Sequence, residues 1–375
     1  MTLKNLFCLL MVMMTVACSS SPAQAEAPNI PNNNDQPNNQ QPSSGGSTDT
    51  KPENTLPGEP VGFASLTQKP TGGEGGSSVV VTTVNELSSA LKRTEPLIIY
   101  VQGEISFTNV LSVEAHNKTL LGVSGSKLVS AQRDASTSGI LYFKSGSSNL
   151  ILRNLTFESA GAYDCDGRDN LCIDGTTRIW VDHCDFQDAV DGNFDCKNAS
   201  DEITISWCRF RYLKEPKAGG SGGSNDHRFS SLWGNSDSQT QDRGHLRTTF
   251  YGCWWDEGCV DRMPRVRFGQ VHILNCLYSS KATSGCVGLG YEAQVLVEKT
   301  VFRDISKKIY KEYNDKDEAH RGIIELRDVL YLNSKTAESN GAVFTPPYTI
   351  ESLAVGDVEA KVKAEAGATL TVKKP

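Results

Sequence analysis

A chain of 375 residues, 38% hydrophobic and 22% charged, is long enough to bury a large core, and nothing in it suggests more than one folded domain beside its tails. A net charge of −7 argues against a surface suited overall to polyanions and excludes nucleic acid as an expected partner. An acidic ligand would have to be met by a local cationic patch or by a bound cation.

The N-terminal segment reads as an export signal rather than as part of the fold. Lys4 supplies the positive start and residues 6–16 the apolar run, which is too short to span a bilayer comfortably. Within a signal segment assigned to residues 1–18, Thr15-Val16-Ala17-Cys18 resembles a lipoprotein processing site at which Cys18 would be lipidated after cleavage, while Ala23-Gln24-Ala25 is a competing ordinary cleavage site. Residues 19–58 are Ser, Pro, Asn, Gln and Gly with almost nothing apolar, a composition that cannot offset the entropy of ordering and predicts a flexible tether. The folded domain is expected over 59–375, exported as an outer-membrane or cell-surface lipoprotein or secreted, and monomeric. A lipid anchor would be its sole attachment to a membrane.

Gly62-Phe63 begins the folded part. Residues 83–93 (TVNELSSALKR) predict a short amphipathic helix with Thr83 as N-cap, placed to cover one end of the core. Residues 96–104 and 118–123 predict the first strands. A repeated phrase follows. With Cys208 as zero, Ile203, Ile205, Cys208 and Phe210 occupy slots at minus five, minus three, zero and plus two. The same slots hold Leu150, Leu152, Leu155 and Phe157, then Ile179, Val181, Cys184 and Phe186. After Cys208 they hold Thr248, Phe250, Cys253 and Trp255, then Val271, Ile273, Cys276 and Tyr278, and last Val295, Val297, Thr300 and Phe302.

Two-residue alternation inside a unit is a strand signal, and recurrence at a near-constant period is a solenoid signal. One unit cannot bury its apolar face alone, so units must stack. The expected architecture is all-β, a right-handed single-stranded parallel β-helix with an N-terminal capping helix and a C-terminal helix and loop packing on the coils. A sandwich or propeller of short strands is the competing arrangement. The pattern fades after Phe302, and 344–348 (FTPPY) followed by 358–366 predicts an extended stretch and a last helix. Nine cysteines lie between Cys165 and Cys286. They are expected to be small buried residues, with Cys172 and Cys196 as stacked neighbours and a disulfide between those two as the alternative.

The acids are placed by the same register. Asp191 and Asp195 lie 17 and 13 residues before Cys208, and Asp169 lies 15 before Cys184. All three offsets are odd, so on strands the three carboxylates would share one face of two adjacent coils. Carboxylates that close repel unless a cation joins them, and Ca²⁺ with its flexible shell of six to eight oxygens suits an open cluster better than Mg²⁺. No Cys/His arrangement reads as zinc. Asp164, Asp166, Asp182 and Asp185 fall outside the set and read as turn or structural acids. His183 reads as hydrogen-bonded in a turn, and His227, His245 and His272 have no spacing that makes a triad. Residues 214–224 (KEPKAGGSGGS) form a loop inserted between coils, placed to wall a groove. Two coils beyond the acids, Arg262, Arg265 and Arg267 make a recess suited to a polymer bearing carboxylates.

Gly62-Phe-Ala, Ile179-Trp-Val-Asp-His183, Asp191-Gly with Asp195, Thr204-Ile-Ser-Trp207, Leu232-Trp-Gly234 with Asp237, Arg262-Met-Pro-Arg-Val-Arg-Phe-Gly269 and Pro346-Pro-Tyr348 occur in this order across 62–366. In these motifs the chain resembles polysaccharide lyase family 1, the pectate lyases. The resemblance implies a Ca²⁺-dependent β-elimination on polygalacturonate that yields 4,5-unsaturated oligogalacturonates. It implies Asp169, Asp191 and Asp195 as calcium ligands, Arg262 as the base and Arg267 as a substrate-binding residue. The family carries a substrate lysine five residues after the position of Phe210. Glu215 stands there in this chain, flanked by Lys214 and Lys217, and Lys214 is assigned the role. A lyase for methyl-esterified pectin, a non-catalytic pectin-binding solenoid and a glycoside hydrolase are the competing readings.

Overall fold

The computed structural model describes residues 56–375, so the leader, Cys18 and the tether as far as residue 55 lie outside the described residues. Each repeat unit forms two strands joined by a corner, and successive units pair in parallel. Ile203 lies between Ile179 and Thr248, and Ile205 between Val181 and Phe250, on one sheet. Phe210 lies between Phe186 and Trp255 on the next. Side chains in these slots are fully buried, as strands stacked face on face require. Three parallel sheets of ten, eight and nine strands result, the parallel β-helix expected.

The zero slot is the corner between the ten- and nine-stranded sheets, not a strand position. The residue before it in six successive coils, Asn154, His183, Trp207, Gly252, Asn275 and Lys299, has φ between 44° and 65°. A left-handed residue turns the chain there, and the zero residue closes the corner. Cys184 donates its backbone N–H to Sγ of Cys208 (3.4 Å), Cys253 to Sγ of Cys276 (3.3 Å), and Cys276 to Oγ1 of Thr300 (3.2 Å). Threonine therefore replaces cysteine in this column without loss of the acceptor. At plus two the rings of Phe157, Phe186, Phe210, Trp255, Tyr278, Phe302 and Tyr331 stack through the molecule, with centroids 4.5–5.6 Å apart.

Three expectations need correction. All nine described cysteines are free, so no disulfide joins Cys172 to Cys196. Nor are these two neighbours, since Cys172 pairs with Asp195 and Cys196 with Ile173. Two residues separate the strand of Cys172 from the next strand of its coil, whereas Asn198, Ala199 and Ser200 separate the strand of Cys196 from its successor. That extra residue shifts the register by one. Finally, the repeat continues past Phe302. Ile324, Leu326, Val329 and Tyr331 fill the four slots of a seventh unit on strands Ile323–Arg327 and Leu330–Leu332, with Asp328 left-handed at the corner.

The ends are closed as the sequence suggested. Helix α1 (Val84–Leu91) carries a capping box between Thr83 and Glu86 and buries Leu87, Ala90 and Leu91. The first strand is Ser77–Val81, ahead of the helix, which the sequence did not signal; the two strands expected to come first run Leu97–Val101 and His116–Gly122. Lys118, in an inward slot, is fully buried, and its ammonium donates to the carbonyls of Glu95 (2.8 Å) and His116 (2.6 Å). Helix α2 (Val355–Glu365) packs Val358 and Val362 near Leu277 and Val301. Before it, the stretch containing Tyr348 crosses the ten-stranded sheet, with the Tyr348 hydroxyl 2.6 Å from Oγ1 of Thr249 and its ring 5.1 Å from that of Phe63.

Candidate active site

The site lies on the eight-stranded sheet, whose strands in chain order are β1 (Leu111–Val113), β2 (Leu141–Phe143), β3 (Leu171–Asp174), β4 (Phe194–Lys197), β5 (Leu232–Trp233), β6 (Arg265–Val266), β7 (Gly285–Leu289) and β8 (Lys308–Glu312). On β4 the alternation is plain: Phe194 and Cys196 enter the core, and Asp195 and Lys197 face outward. Asp169 and Asp191 are not on strands. They sit in the turns that lead into β3 and β4, so strand parity is not what brings the three acids together.

They do meet. Asp169, Asp191 and Asp195 line one polar recess with Tyr142, Asp166, Lys197, Asn235 and Arg262. Gly192 allows this closeness. Its N–H donates to Oδ1 of Asp169 (2.9 Å), and a Cβ at this position would stand 2.3 Å from Oδ1 of Asp195 and 2.9 Å from Oδ1 of Asp169. The N–H of Leu232 on β5 also donates to Oδ1 of Asp195 (3.0 Å). Among the described residues, no three His, Cys, Asp or Glu are grouped so as to hold a metal ion by themselves. The cluster is open on one side, and a shell of six to eight oxygens there would need water or ligand oxygens as well.

Burial raises the carboxyl of Asp195 to about 7, reinforced by Asp191 and opposed by Arg262. Asp169 is likewise raised well above the usual carboxylate range, first by burial and then by Asp195 and Asp191. Both carboxyls thus resist carrying charge together. Lys197 is the cation on the other side. Burial disfavours its charge, yet its acidic neighbours, Cys172, Tyr142, Asp169 and Asp174 among them, raise it overall.

The arginines divide. Arg262 reaches the recess from two strands beyond β4. It has φ of 57°, its N–H is held by Oδ1 of Asp261 (2.7 Å), and its guanidinium lies 4.7 Å from the Phe229 ring centroid without an ion pair among the described residues. Arg267 is buried and occupied, donating to Asp237 (2.5 Å) and to the carbonyl of Gly234 (2.7 Å). Lys214 donates to Glu158 (3.0 Å) and to the carbonyl of Ser159 (2.6 Å), while Lys217 lies 4.2 Å from the Tyr163 ring centroid. Neither lysine nor Arg267 lines the recess.

Two further residues belong to the site. Asp166, expected to be a plain turn acid, lines the recess with φ of 58°. His227 is buried against Asp191, Nε2 to Oδ1 at 2.7 Å, with Nδ1 3.3 Å from Asp164. No spacing signals this contact, because the loop inserted after Lys214 delivers the histidine. That loop is anchored where Asp164 accepts from the N–H groups of Gly222 (2.9 Å) and Ser224 (2.7 Å). Asp182 and Asp185 are structural, as expected, paired with Arg153 (2.7 Å) and Arg211 (2.6 Å). His183 bonds Asp182 at its corner (2.7 Å).

A parallel β-helix with such a recess of half-buried acids, and a guanidinium without an ion pair among the described residues, defines a solenoid enzyme of the polysaccharide lyase class. The family model described as pectate lyase matches residues 49–369. Pectate lyase plyB of Emericella nidulans is 30% identical over 320 residues, covering 83% of this chain and 89% of its own. A pectate trisaccharide-lyase of Thermotoga maritima is 33% identical over 248 residues, 62% of this chain and 61% of its own. Among solved structures, a Bacillus subtilis pectate lyase variant superposes with a TM-score of 0.64 at 21% identity over 84% of this chain and 98% of that one. The major allergen from cedar pollen does so with 0.63 at 20% over 82% and 92%. At these identities the structural likeness is one of fold. The chain belongs to the pectate lyase family.

Proposed function

We propose that the protein is an exported, calcium-dependent pectate lyase that cleaves polygalacturonate by β-elimination and leaves 4,5-unsaturated oligogalacturonates. The observation that carries this reading is the recess itself, in which three half-buried acids crowd one another opposite an arginine that has no ion pair among the described residues. Asp169, Asp191 and Asp195 fit a calcium ion as its protein ligands, since a dication relieves the repulsion that raises two of them. An ion held there would supply Lewis-acid chemistry to a uronate carboxylate, which makes the proton at C5 more acidic. Arg262 is the base that takes this proton; the C4–C5 double bond forms as the C4–O bond breaks, and the departing oxygen takes a proton from water. This role is the one the family resemblance implies, and what supports it here is position: the Arg262 guanidinium lines the recess with the three acids and has no ion pair among the described residues. Arg267 and Lys214 bind substrate carboxylates, each by releasing its present acid partner. The leader over 1–18, the tether over 19–58 and the lyase domain over 59–375 deliver this activity outside the cell, lipid-anchored at Cys18 or secreted.

The ultraviolet absorbance of unsaturated product tests the reading. Product should appear from polygalacturonate, vanish with chelator and return with Ca²⁺. Product from methyl-esterified pectin in chelator would instead make the protein a pectin lyase, and tight binding without product a binding solenoid. Arg262→Lys should lower kcat by roughly 10²–10⁴-fold; unchanged turnover would remove Arg262 from the chemistry.

A further inference from the structure

Three arginines enter the β6 region, and among the described residues only Arg267 of the three is ion-paired with an acid. Arg265 points outward from β6 and lies flat on Tyr313, its guanidinium carbon 3.7 Å from the ring centroid. Its Nε is buried and has no hydrogen-bond partner. Asp237, the acid that acts on it, is taken by Arg267, and Asp261, beside Tyr313, is engaged by the ammonium of Lys311, by the Tyr313 hydroxyl (3.2 Å) and by the N–H of Arg262 (2.7 Å). The stack exists because β7 presents Gly288 opposite Arg265. A Cβ there would stand 2.9 Å from Cβ of Arg265 and 3.0 Å from the Tyr313 ring.

The placement is oriented toward the recess. Leu232 on β5 pairs with Arg265 and donates its N–H to Asp195 on β4. Arg265 is therefore two strands from Asp195 on the same outer face, roughly 10 Å at ordinary strand spacing. We propose that Arg265, held by Tyr313, is a specificity-determining residue that receives a second carboxylate of the acidic polysaccharide, one step along the sheet from the acid cluster. This rests on the reading of the protein as a lyase of polygalacturonate. A guanidinium with an unmet buried N–H offers the planar fork that carboxylates fit. Burial, then the neighbouring Arg267, lower it to about 10, and an arriving carboxylate relieves both strains. The Tyr313 hydroxyl on Asp261 ties this wall to the turn that carries Arg262, so a chain held at Arg265 is aligned with the reacting position.

The test is steady-state kinetics of the full chain and of Arg265→Gln and Arg265→Lys, on polygalacturonate and on highly methyl-esterified pectin, with calcium affinity measured by calorimetry. In R265Q, KM for polygalacturonate should rise at least about tenfold. Its kcat should hold within about threefold and its calcium affinity should stay at the parent value, while R265K recovers part of the KM. Any turnover of the esterified polymer should show no such KM rise, because its carboxylates are masked. An unchanged KM, an equal rise on both polymers, or a loss confined to kcat overturns the assignment, and R265K gives the same readouts if R265Q does not fold. Parent protein without chelator-sensitive activity on polygalacturonate overturns the underlying reading, and this assignment with it.

Discussion

The corner between the ten- and nine-stranded sheets and the entry to the eight-stranded sheet are parts of the same coils, yet they obey different rules. At the corner seven successive coils, from Asn154 to Asp328, repeat one solution, a left-handed residue and then a small acceptor-bearing or apolar side chain, followed by an inward ring. At the entry no two coils agree. One carries Asp169, the next Asp191 and Gly192, and a third is preceded by the long insertion that brings His227. Stacking explains the contrast. A side chain pointing into the solenoid touches its equivalents above and below, so its identity is constrained by both. A turn on the open side touches fewer equivalents and is free to carry chemistry.

If that division holds, damage at the corner should cost stability and spare the site. Phe210 is fully buried between the rings of Phe186 (5.2 Å) and Trp255 (5.6 Å). Phe210→Ala should destabilise by about 3–5 kcal/mol, read by denaturant unfolding, while calcium affinity of the folded protein stays near that of the parent. A loss below about 1 kcal/mol would mean that the ring column tolerates gaps and does not organise the coils.

The reverse experiment is Gly192→Ala. Its backbone φ is not in the left-handed region, so alanine introduces no backbone strain, and the new methyl collides with the carboxylate oxygens of Asp195 and Asp169. Calcium affinity by titration calorimetry should fall about 10–100-fold, with unfolding free energy within about 1 kcal/mol of the parent. Equal affinity would show that the cradle at residue 192 does not shape the ligand set.

This difference also decides what could be read from sequence. The slots at minus five, minus three and plus two were legible because burial leaves few residue types for them. The seventh unit, Ile324 to Tyr331, escaped notice because it has neither the cysteine nor the phenylalanine of its neighbours. The acids were found, but by a parity argument that the register does not support. A third residue between β4 and its successor makes distances to the corner non-equivalent between coils, and Asp169 and Asp191 act from turns. Arg262 was legible through its motif. His227 was not, since a histidine near the end of a glycine-rich insertion gives no periodic signal and its partner Asp191 lies 36 residues away.

The smaller loss of stability concerns the covered face of the ten-stranded sheet, where a titratable group is buried more tightly than the site acids but has no ligand to serve. His272 lies between the Tyr348 hydroxyl (3.0 Å) and the Glu298 carboxylate (3.3 Å). Burial lowers its pKa to about 4, against the partial opposition of Glu298. The folded protein therefore refuses a proton that the unfolded chain accepts below about 6.5, its ordinary value. Stability from this residue is complete above about 6.5 and is lost as pH falls toward about 4, by about 3 kcal/mol over that window. Urea unfolding near neutral pH and near the lower end of the window should show that loss in the parent. In His272→Gln the same interval should be shallower by that amount, whatever the variant's absolute stability. Equal slopes would mean that Tyr348 and its strap open before the imidazole titrates, and that the covered face is as yielding as the turns opposite.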